Sequence, residues 1–183
     1  MQPDDLQLLQ WFHQPETREK GFTAIIHKYQ QPLYWHIRRL VISHADADDV
    51  LQNVLLKVWK GLDAFREESN LYTWLYRIAT NESLSFLAKE QRRGSFNIDE
   101  EQVNSAMVDK LQAEPHFNAA QIEWKLQSAI QQLPEKQRIV FNMRYFDEMS
   151  YQTMSEVLQT SEGALKASYH HAVKKIGDAM KQL

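Results

Sequence analysis

Apolar side chains recur every three or four residues through most of this chain, which is the spacing that buries one face of an α-helix. In the N-terminal half the pattern predicts three helices, over residues 22–41, 46–62 and about 69–91. Pro32 predicts a kink or a break in the first of them, because proline removes a backbone hydrogen bond. Asp46 is expected to cap the second. The N-terminal half is therefore expected to form a bundle of helices.

The C-terminal part returns to helical spacing after an interruption. Residues 94–120 lack a sustained period, whereas residues 121–183 are periodic again. Within the second stretch the pattern predicts a short helix over residues 151–158, a turn over residues 159–161, and a longer helix over residues 162–181. The interruption is long for a loop inside one compact domain, which favours a linker between two domains.

These patterns predict an all-α chain of two small helical domains, residues 1–93 and 121–183, joined by an acidic linker over residues 94–120. Composition supports this prediction, since 183 residues fit one ordinary domain or two small ones, and only five glycines and five prolines are present to break helices. The chain has no cysteine. This excludes disulfides and thiolate metal sites and indicates a reducing compartment.

The sequence offers no membrane-spanning or secretory signal. No apolar run approaches the roughly 18 residues needed to cross a bilayer. The N-terminus carries acids where a signal peptide would carry lysines. We therefore expect a cytoplasmic protein with no direct membrane insertion.

Charge is distributed unevenly along the chain. The formal net charge is −3, which argues weakly against a protein that coats nucleic acid nonspecifically. Residues 99–123 hold six acids and one lysine, whereas residues 163–183 hold four lysines and one aspartate. The basic C-terminal end is compatible with a local DNA contact, and the acidic middle with a solvated linker.

A short helix, a three-residue turn and a longer helix form the layout of a helix-turn-helix. Gly163 and Ala164 are small enough to bring the N-terminus of the longer helix close to a phosphate. Four side chains then project from its exposed side as candidate DNA contacts: Lys166, His170, His171 and Lys174. An ordinary helical bundle with a polar face is the alternative. The adjacent histidines point about 100° apart on a helix and do not predict a metal site.

The third predicted helix combines off-stripe aromatic residues with a basic end. Tyr72 and Tyr76 lie four residues apart, away from the main apolar stripe, and Lys89, Arg92 and Arg93 follow. Stacking rings beside positive charge are typical of single-stranded nucleic-acid binding. The polar loop over residues 66–70 is suited to surround an unstacked base, or simply to cap the helix. Packing of the tyrosines against another helix is the competing interpretation.

The second predicted helix has a polar side as well. Five residues share a side away from its apolar stripe: Asp48, Asp49, Gln52, Asn53 and Leu56. Solvation and N-terminal capping explain such a face in most helices. The functional interpretation is a docking surface for a partner protein.

Three stretches together resemble bacterial RNA polymerase sigma factors of the sigma-70 family, extracytoplasmic-function type. Residues 47–52 (ADDVLQ), with Val58-Trp59, are similar to the family's polymerase-docking helix. Residues 65–93, with TWLYRIA and a final Arg92-Arg93, resemble its promoter-melting and minus-ten element. Residues 133–166, from LPEKQR to EGALK, resemble its minus-thirty-five reader. The three occur in the family's order and separation, so the resemblance covers most of the chain.

The resemblance implies core RNA polymerase, promoter DNA and an anti-sigma factor as partners. It implies polymerase binding by Asp48, Asp49, Gln52, Asn53 and Leu56. It implies minus-ten contacts by Arg66, Ser69, Asn70, Tyr72, Trp74, Tyr76 and Arg77, with Lys89, Arg92 and Arg93 on the DNA backbone. It implies minus-thirty-five contacts by Ser161, Glu162, Gly163, Ala164, Lys166, Ala167, His170, His171 and Lys174.

The chain departs from the family's pattern in its last helix. Ser168, His171 and Val173 stand where many relatives have arginines. Fewer fixed charges predict a weaker contact between the C-terminal domain and DNA, because affinity for DNA depends on phosphate contacts.

Two other classes of function compete with the sigma factor. A helix-turn-helix regulator that acts without core polymerase is the main alternative, and it would need neither the polar side of the second helix nor the aromatic helix. An enzyme is disfavoured, because the chain has no HExxH, no glycine-rich phosphate loop, no G-x-S-x-G and no cysteine nucleophile. We expect no catalytic residue, no metal and no cofactor.

Overall fold

The computed structural model describes residues 3–65, 69–94 and 121–181. Two 3₁₀ turns, at Pro15–Thr17 and Leu62–Ala64, adjoin the α-helices of this part of the chain. In chain order these helices are α1 (Asp5–His13), α2 (Arg18–Val41), α3 (His44–Gly61), α4 (Leu71–Gly94), α5 (Gln121–Gln131), α6 (Glu135–Tyr145), α7 (Tyr151–Leu158) and α8 (Glu162–Lys181). The all-α prediction is confirmed. The predicted linker lies, apart from Gly94, outside the described residues.

Short polar side chains set the starts of several helices. Asn70 Oδ1 accepts a hydrogen bond from the backbone N–H of Thr73 at 2.7 Å, where α4 begins. Ser150 Oγ accepts one from Thr153 at 3.0 Å, where α7 begins. Such bonds satisfy N–H groups that have no partner inside the helix. These two caps therefore determine where α4 and α7 begin.

The predicted cap of α3 is wrong by one turn. Ser43 is the N-cap, and its Oγ accepts a hydrogen bond from the backbone N–H of Asp46 at 3.3 Å. Asp46 lies in the first turn, where its negative charge still interacts favourably with the helix dipole. Two capping residues compete three positions apart, and the apolar spacing of the helix does not distinguish them.

Helix α2 begins earlier than predicted and does not break at Pro32. Pro32 is exposed, whereas Tyr29, Leu33 and Ile37 are buried against the other helices. The proline ring therefore projects into solvent, and burial of the neighbouring apolar side chains holds the helix together on both sides of it. Tertiary packing here outweighs the local cost of proline.

Helix α1, which the sequence interpretation did not single out, packs closely on α2. Phe12 is fully buried and meets the ring of Trp59 edge-on at 5.6 Å between centroids. The close approach depends on Gly21, since a β-carbon there would lie 2.8 Å from both Phe12 Cα and the backbone carbonyl carbon of Trp11. Helices α1 to α4 form the N-terminal module.

Helices α5 to α8 form the C-terminal module, which has an apolar cluster of its own. That cluster consists of Ala129, Ile130, Leu133, Phe141, Ala172 and Ile176. The two modules are also in contact, because α2 packs against α6 and α4 packs against α7. A second and larger cluster of buried apolar side chains contains residues of both modules. The part of the chain that the structure describes is thus a closed arrangement of two modules.

Candidate nucleic-acid interface

The helix-turn-helix consists of α7, the turn over residues 159–161, and α8. Gln159 ends α7 in the left-handed conformation, with φ of 50°, which turns the chain sharply. Ser161 Oγ then accepts a hydrogen bond from the N–H of Ala164 at 3.4 Å and caps α8. Leu165 and Ala172 are buried on one side of α8. Their burial fixes which side of the helix faces solvent.

The N-terminal half of α8 presents the predicted DNA-contacting residues to solvent. Lys166 pairs with Glu162 at 3.4 Å, and the rings of His170 and His171 lie 5.9 Å apart. The predicted residues that are exposed are Ser161, Glu162, Gly163, Ala164, Lys166, Ala167, His170, His171 and Lys174. The structure therefore brings this whole predicted set together on one exposed stretch of helix. Val173, at a departure from the family's pattern, is 45% exposed.

The two tyrosines of α4 do not both face solvent. Tyr76 is only 3% exposed, and its ring lies 4.3 Å from the ring of Tyr72 and 5.0 Å from that of His36. Burial raises the pKa of both tyrosines above its ordinary value. The competing interpretation, packing against another helix, holds for Tyr76, whereas Tyr72 is half-buried. The apolar core of this protein extends to both sides of α4.

The neighbours of these tyrosines on α4 are also engaged. Arg77 is half-buried, and its Nη2 donates a hydrogen bond to the backbone carbonyl of Glu156, in α7, at 2.9 Å. The ring of Trp74 lies 5.0 Å from that of Phe65. The middle of α4 is thus held by contacts within the protein, including one from the C-terminal module.

Both ends of α4 carry side chains that are accessible to solvent. Lys89, Arg92 and Arg93 are exposed at the C-terminal end. Asn70 is exposed at the N-terminal end, although its side chain caps the helix, and Ser69 is half-buried. Only Ser69 and Asn70 of the predicted base-binding loop are described, because residues 66–68, which include Arg66, fall outside the described residues.

The polar side of α3 faces solvent. Asp49, Gln52 and Asn53 are exposed, and Leu56 is 58% exposed. Asp48 is half-buried and lies 3.6 Å from the ring of His44. These five residues form one continuous surface, which we call the α3 face. No residue of the α3 face is among the buried core residues.

An acid on the apolar stripe of α4 also has a partner. Glu82 forms an ion pair with Lys57 of α3. The side chain of Glu82 is 16% exposed, so the charge is partly removed from water and paired at the same time. This contact explains why an acidic residue interrupts the apolar pattern of α4.

Sequence reasoning missed a polar cluster between the modules. His36 Nδ1 lies 2.7 Å from Asp147 Oδ2, and His36 Nε2 lies 2.9 Å from Thr80 Oγ1. Arg39 Nη1 donates to Asp147 Oδ1 at 2.8 Å. One signal was present in the sequence, since His36 occupies a core position on the stripe of Leu33 and Leu40. The partner was not visible, because Asp147 is 111 positions away.

Neither a metal-binding cluster nor a membrane-spanning helix occurs within the described ranges. No group of three or more histidine and acidic side chains is arranged to hold a metal ion there. No helix in residues 3–65, 69–94 or 121–181 is long and apolar enough to cross a membrane.

Comparison with known families identifies both modules. Residues 25–93 match the model of Sigma-70 region 2, and residues 123–176 match that of Sigma-70 region 4. The first match covers α2 to α4 with the α3 face, and the second covers the helix-turn-helix.

Curated relatives match over nearly the whole chain. The chain is 30% identical to the RNA polymerase sigma-H factor of Pseudomonas aeruginosa over 188 residues, covering 100% of this chain and 96% of the relative. It is 28% identical to the ECF RNA polymerase sigma-E factor of Escherichia coli K12, covering 90% of this chain and 89% of the relative.

Solved structures share the fold. The sigma factor RpoE of Bartonella quintana, solved with the anti-sigma factor NepR, superposes with a TM-score of 0.69 at 22% identity, covering 88% of this chain and 98% of that one. CnrH, solved with the cytosolic domain of CnrY, also gives a TM-score of 0.69, at 18% identity and 98% and 97% coverage.

Proposed function

This chain belongs to the sigma-70 family of bacterial RNA polymerase sigma factors, extracytoplasmic-function type, and we propose a division of labour among its three surfaces. As a sigma factor, it directs core RNA polymerase to promoters and starts transcription. The α3 face binds core polymerase, α4 and its preceding loop read and open the minus-ten element, and α8 reads the minus-thirty-five element. The protein acts in the cytoplasm, where polymerase and DNA meet.

The observation that carries this proposal is the exposure of the α3 face. Within a helix packed on both α2 and α4, Asp49, Gln52, Asn53 and Leu56 are turned to solvent as one surface. An exposed leucine bordered by acids and amides is suited to a protein partner with an apolar pocket and basic rim. A regulator that binds DNA without polymerase would not require this surface.

Helix α4 supplies both parts of a single-strand interface. The rings of Tyr72, Trp74 and Tyr76 provide stacking surfaces, and the exposed Lys89, Arg92 and Arg93 provide charge for the backbone. Asn70 and Ser69, with Arg66, offer hydrogen-bonding groups to an extruded base. Binding there requires Tyr76 and Arg77 to leave their contacts with the rest of the protein.

Helix α8 is arranged as a recognition helix. Its capped N-terminus points small residues and free N–H groups at a phosphate, while Lys166 and Lys174 follow on the exposed surface. The exposed Val173, where many relatives have arginine, lowers the charge of this helix. We propose that this chain relies more on polymerase and minus-ten contacts than such relatives do.

An anti-sigma factor is a further proposed partner. RpoE of Bartonella quintana is described in complex with the anti-sigma factor NepR, and CnrH in complex with the cytosolic domain of CnrY. Both share the fold of this chain. We propose that this chain is held inactive by a protein of the same class until a signal releases it.

Paired substitutions test the division of labour. Asp49→Ala removes an exposed charge from the α3 face, so we expect its affinity for core polymerase to fall about tenfold, as when a charged interface contact worth about 1.4 kcal/mol is lost. Arg93→Ala removes a phosphate contact, so core affinity should persist while promoter opening, followed by permanganate reactivity of unpaired thymines, declines. Asp178→Ala, an exposed acid of α8, serves as the charge-matched control. The opposite assignment of the two defects would contradict the proposal. Tyr76→Ala is a poor probe, because it would leave a cavity in the core.

A further inference from the structure

The polar cluster between the modules has a definite set of hydrogen-bond partners. Thr80 Oγ1 donates its hydrogen to the carbonyl of Tyr76 at 2.7 Å, so toward His36 Nε2 it can only accept. Asp147 accepts a hydrogen bond from the Arg39 guanidinium through one oxygen, and its other oxygen lies 2.7 Å from His36 Nδ1. Both ring nitrogens of His36 therefore have a partner, one within the N-terminal module and one in the C-terminal module.

The contact between His36 and Asp147 is buried between the modules. The side chain of His36 is 0% exposed and that of Asp147 is 3% exposed. A buried ion pair adds little net stability compared with an apolar contact, but removing one partner leaves the other charge buried and unpaired. The pair therefore fixes the register in which the modules dock. Arg39 contributes to the same contact, with its guanidinium 4.7 Å from the centre of the Phe146 ring.

Other contacts around the cluster also cross between the modules. Asn142 Nδ2 donates to the carbonyl of Arg39 at 3.4 Å, and Arg77 donates to the carbonyl of Glu156. Met154 and Val157 of α7 are buried in the cluster of apolar side chains that includes Tyr76. The interface thus has an apolar part over α4 and a polar part over α2.

The closed arrangement covers one DNA-reading surface and leaves the other free. Arg77, in the middle of α4, is hydrogen-bonded to α7, and Tyr76 beside it belongs to the apolar cluster that includes residues of α7, whereas the reading side of α8 is exposed. The α3 face is exposed as well. The modules therefore block the part of the chain assigned to promoter opening without blocking the parts assigned to polymerase or upstream DNA.

We propose that the free chain closes on itself, and that His36, Arg39 and Asp147 form a latch which hides the minus-ten surface of α4. Closure needs no second protein, because every contact in the latch belongs to this chain. Core polymerase binds the closed form through the α3 face, and the modules separate before α4 receives DNA. This assignment of α4 rests on the proposed function above. The population of the closed form reduces the apparent affinity of α4 for its target.

Small-angle X-ray scattering of the full chain, with neither DNA nor polymerase, tests closure separately from sigma activity. A compact globule of this length has a radius of gyration of about 16 Å. We expect the wild type near that value and Asp147→Asn several ångströms larger, with unchanged helix content by circular dichroism. Asp63→Asn is the control, because the Arg18–Asp63 ion pair lies within the N-terminal module. His36→Gln is measured in parallel, so that one variant still tests the proposal if the other fails to fold.

If the wild type is extended, the proposal is overturned whatever the variants show. It is also overturned if both variants fold and are as compact as the wild type. Single-round transcription at saturating core polymerase tests whether closure of the chain inhibits promoter opening. There Asp147→Asn should form open complexes at least about twofold faster than the wild type, as expected when the closed form is at least half of the population, and Asp63→Asn should match the wild type. An opened variant that is no faster contradicts inhibition. Absence of transcripts from every variant contradicts the proposed function and leaves closure standing.

Discussion

Gly21 shows how a single residue controls the approach of two helices. It is buried in α2 at the point where the backbone of α1 passes, and atoms of Trp11 and Phe12 occupy the space that a side chain would need. Backbone atoms cannot rotate away as a flexible side chain can. The absence of a side chain at this position is therefore a packing requirement.

Gly21→Ala should destabilise the protein by about 1–3 kcal/mol, as overpacking of a tight site does. Urea denaturation followed by circular dichroism measures the effect. Gly177→Ala is the matched control, because nothing lies within 4 Å of a β-carbon there and alanine favours helix by about 0.5–1 kcal/mol. Equal stability of the Gly21→Ala variant and the wild type would show that α1 does not pack as described.

The sequence predicted solvent exposure well where it depends on local spacing. The exposed residues of α8 and the α3 face follow from helical periodicity, and the structure places them as expected. Tyr76 and His36 behave differently, because their burial depends on helices that are distant in sequence. The sequence placed Tyr76 off the main stripe, but no local pattern indicates that His36 of α2 packs against that second side.

At the scale of the helix, local chemistry determined most of the boundaries. Asn70, Ser150 and Ser161 each accept a hydrogen bond from a backbone N–H in the first turn of the helix that follows. Where two caps competed, as at Ser43 and Asp46, the sequence did not decide between them. At Pro32 the helix does not break, because burial on either side of an exposed proline keeps α2 continuous.

The charge of α8 is the sum over the whole helix, and single substitutions can lower it or raise it. Lys174→Ala should lower the affinity of the full chain for duplex DNA and reduce the slope of log K against log salt by about 0.9, because one phosphate contact releases about one counterion. Val173→Arg should raise the affinity and steepen the slope by about the same amount. Filter binding or fluorescence anisotropy over a series of salt concentrations measures both.

Lys181→Ala is the control for these two variants, because it removes a positive charge from the far end of the same helix. We expect its salt slope to equal that of the wild type. If all three variants shift the slope equally, the binding depends on net charge rather than on the exposed face of the N-terminal half of α8.

At the scale of the whole molecule, the arrangement of the modules was the least predictable feature. The sequence indicated two helical units and a linker between them, and the family matches fall on the same two units. Their contact depends on pairs such as His36 with Asp147, which lie 111 positions apart. Nothing in local periodicity specifies such a pair. In the proposed latch, the same contact determines whether α4 is accessible.

Sequencing of RNA 5′ ends, after transcription of the source organism's fragmented genomic DNA by its core polymerase, tests the central assignment most directly. If the chain is a sigma factor, adding it should produce new start sites that share two upstream motifs at a constant spacing, one for each module. A chain that binds DNA but yields no new start sites, and shows no affinity for core polymerase, would instead be a regulator that acts without the polymerase.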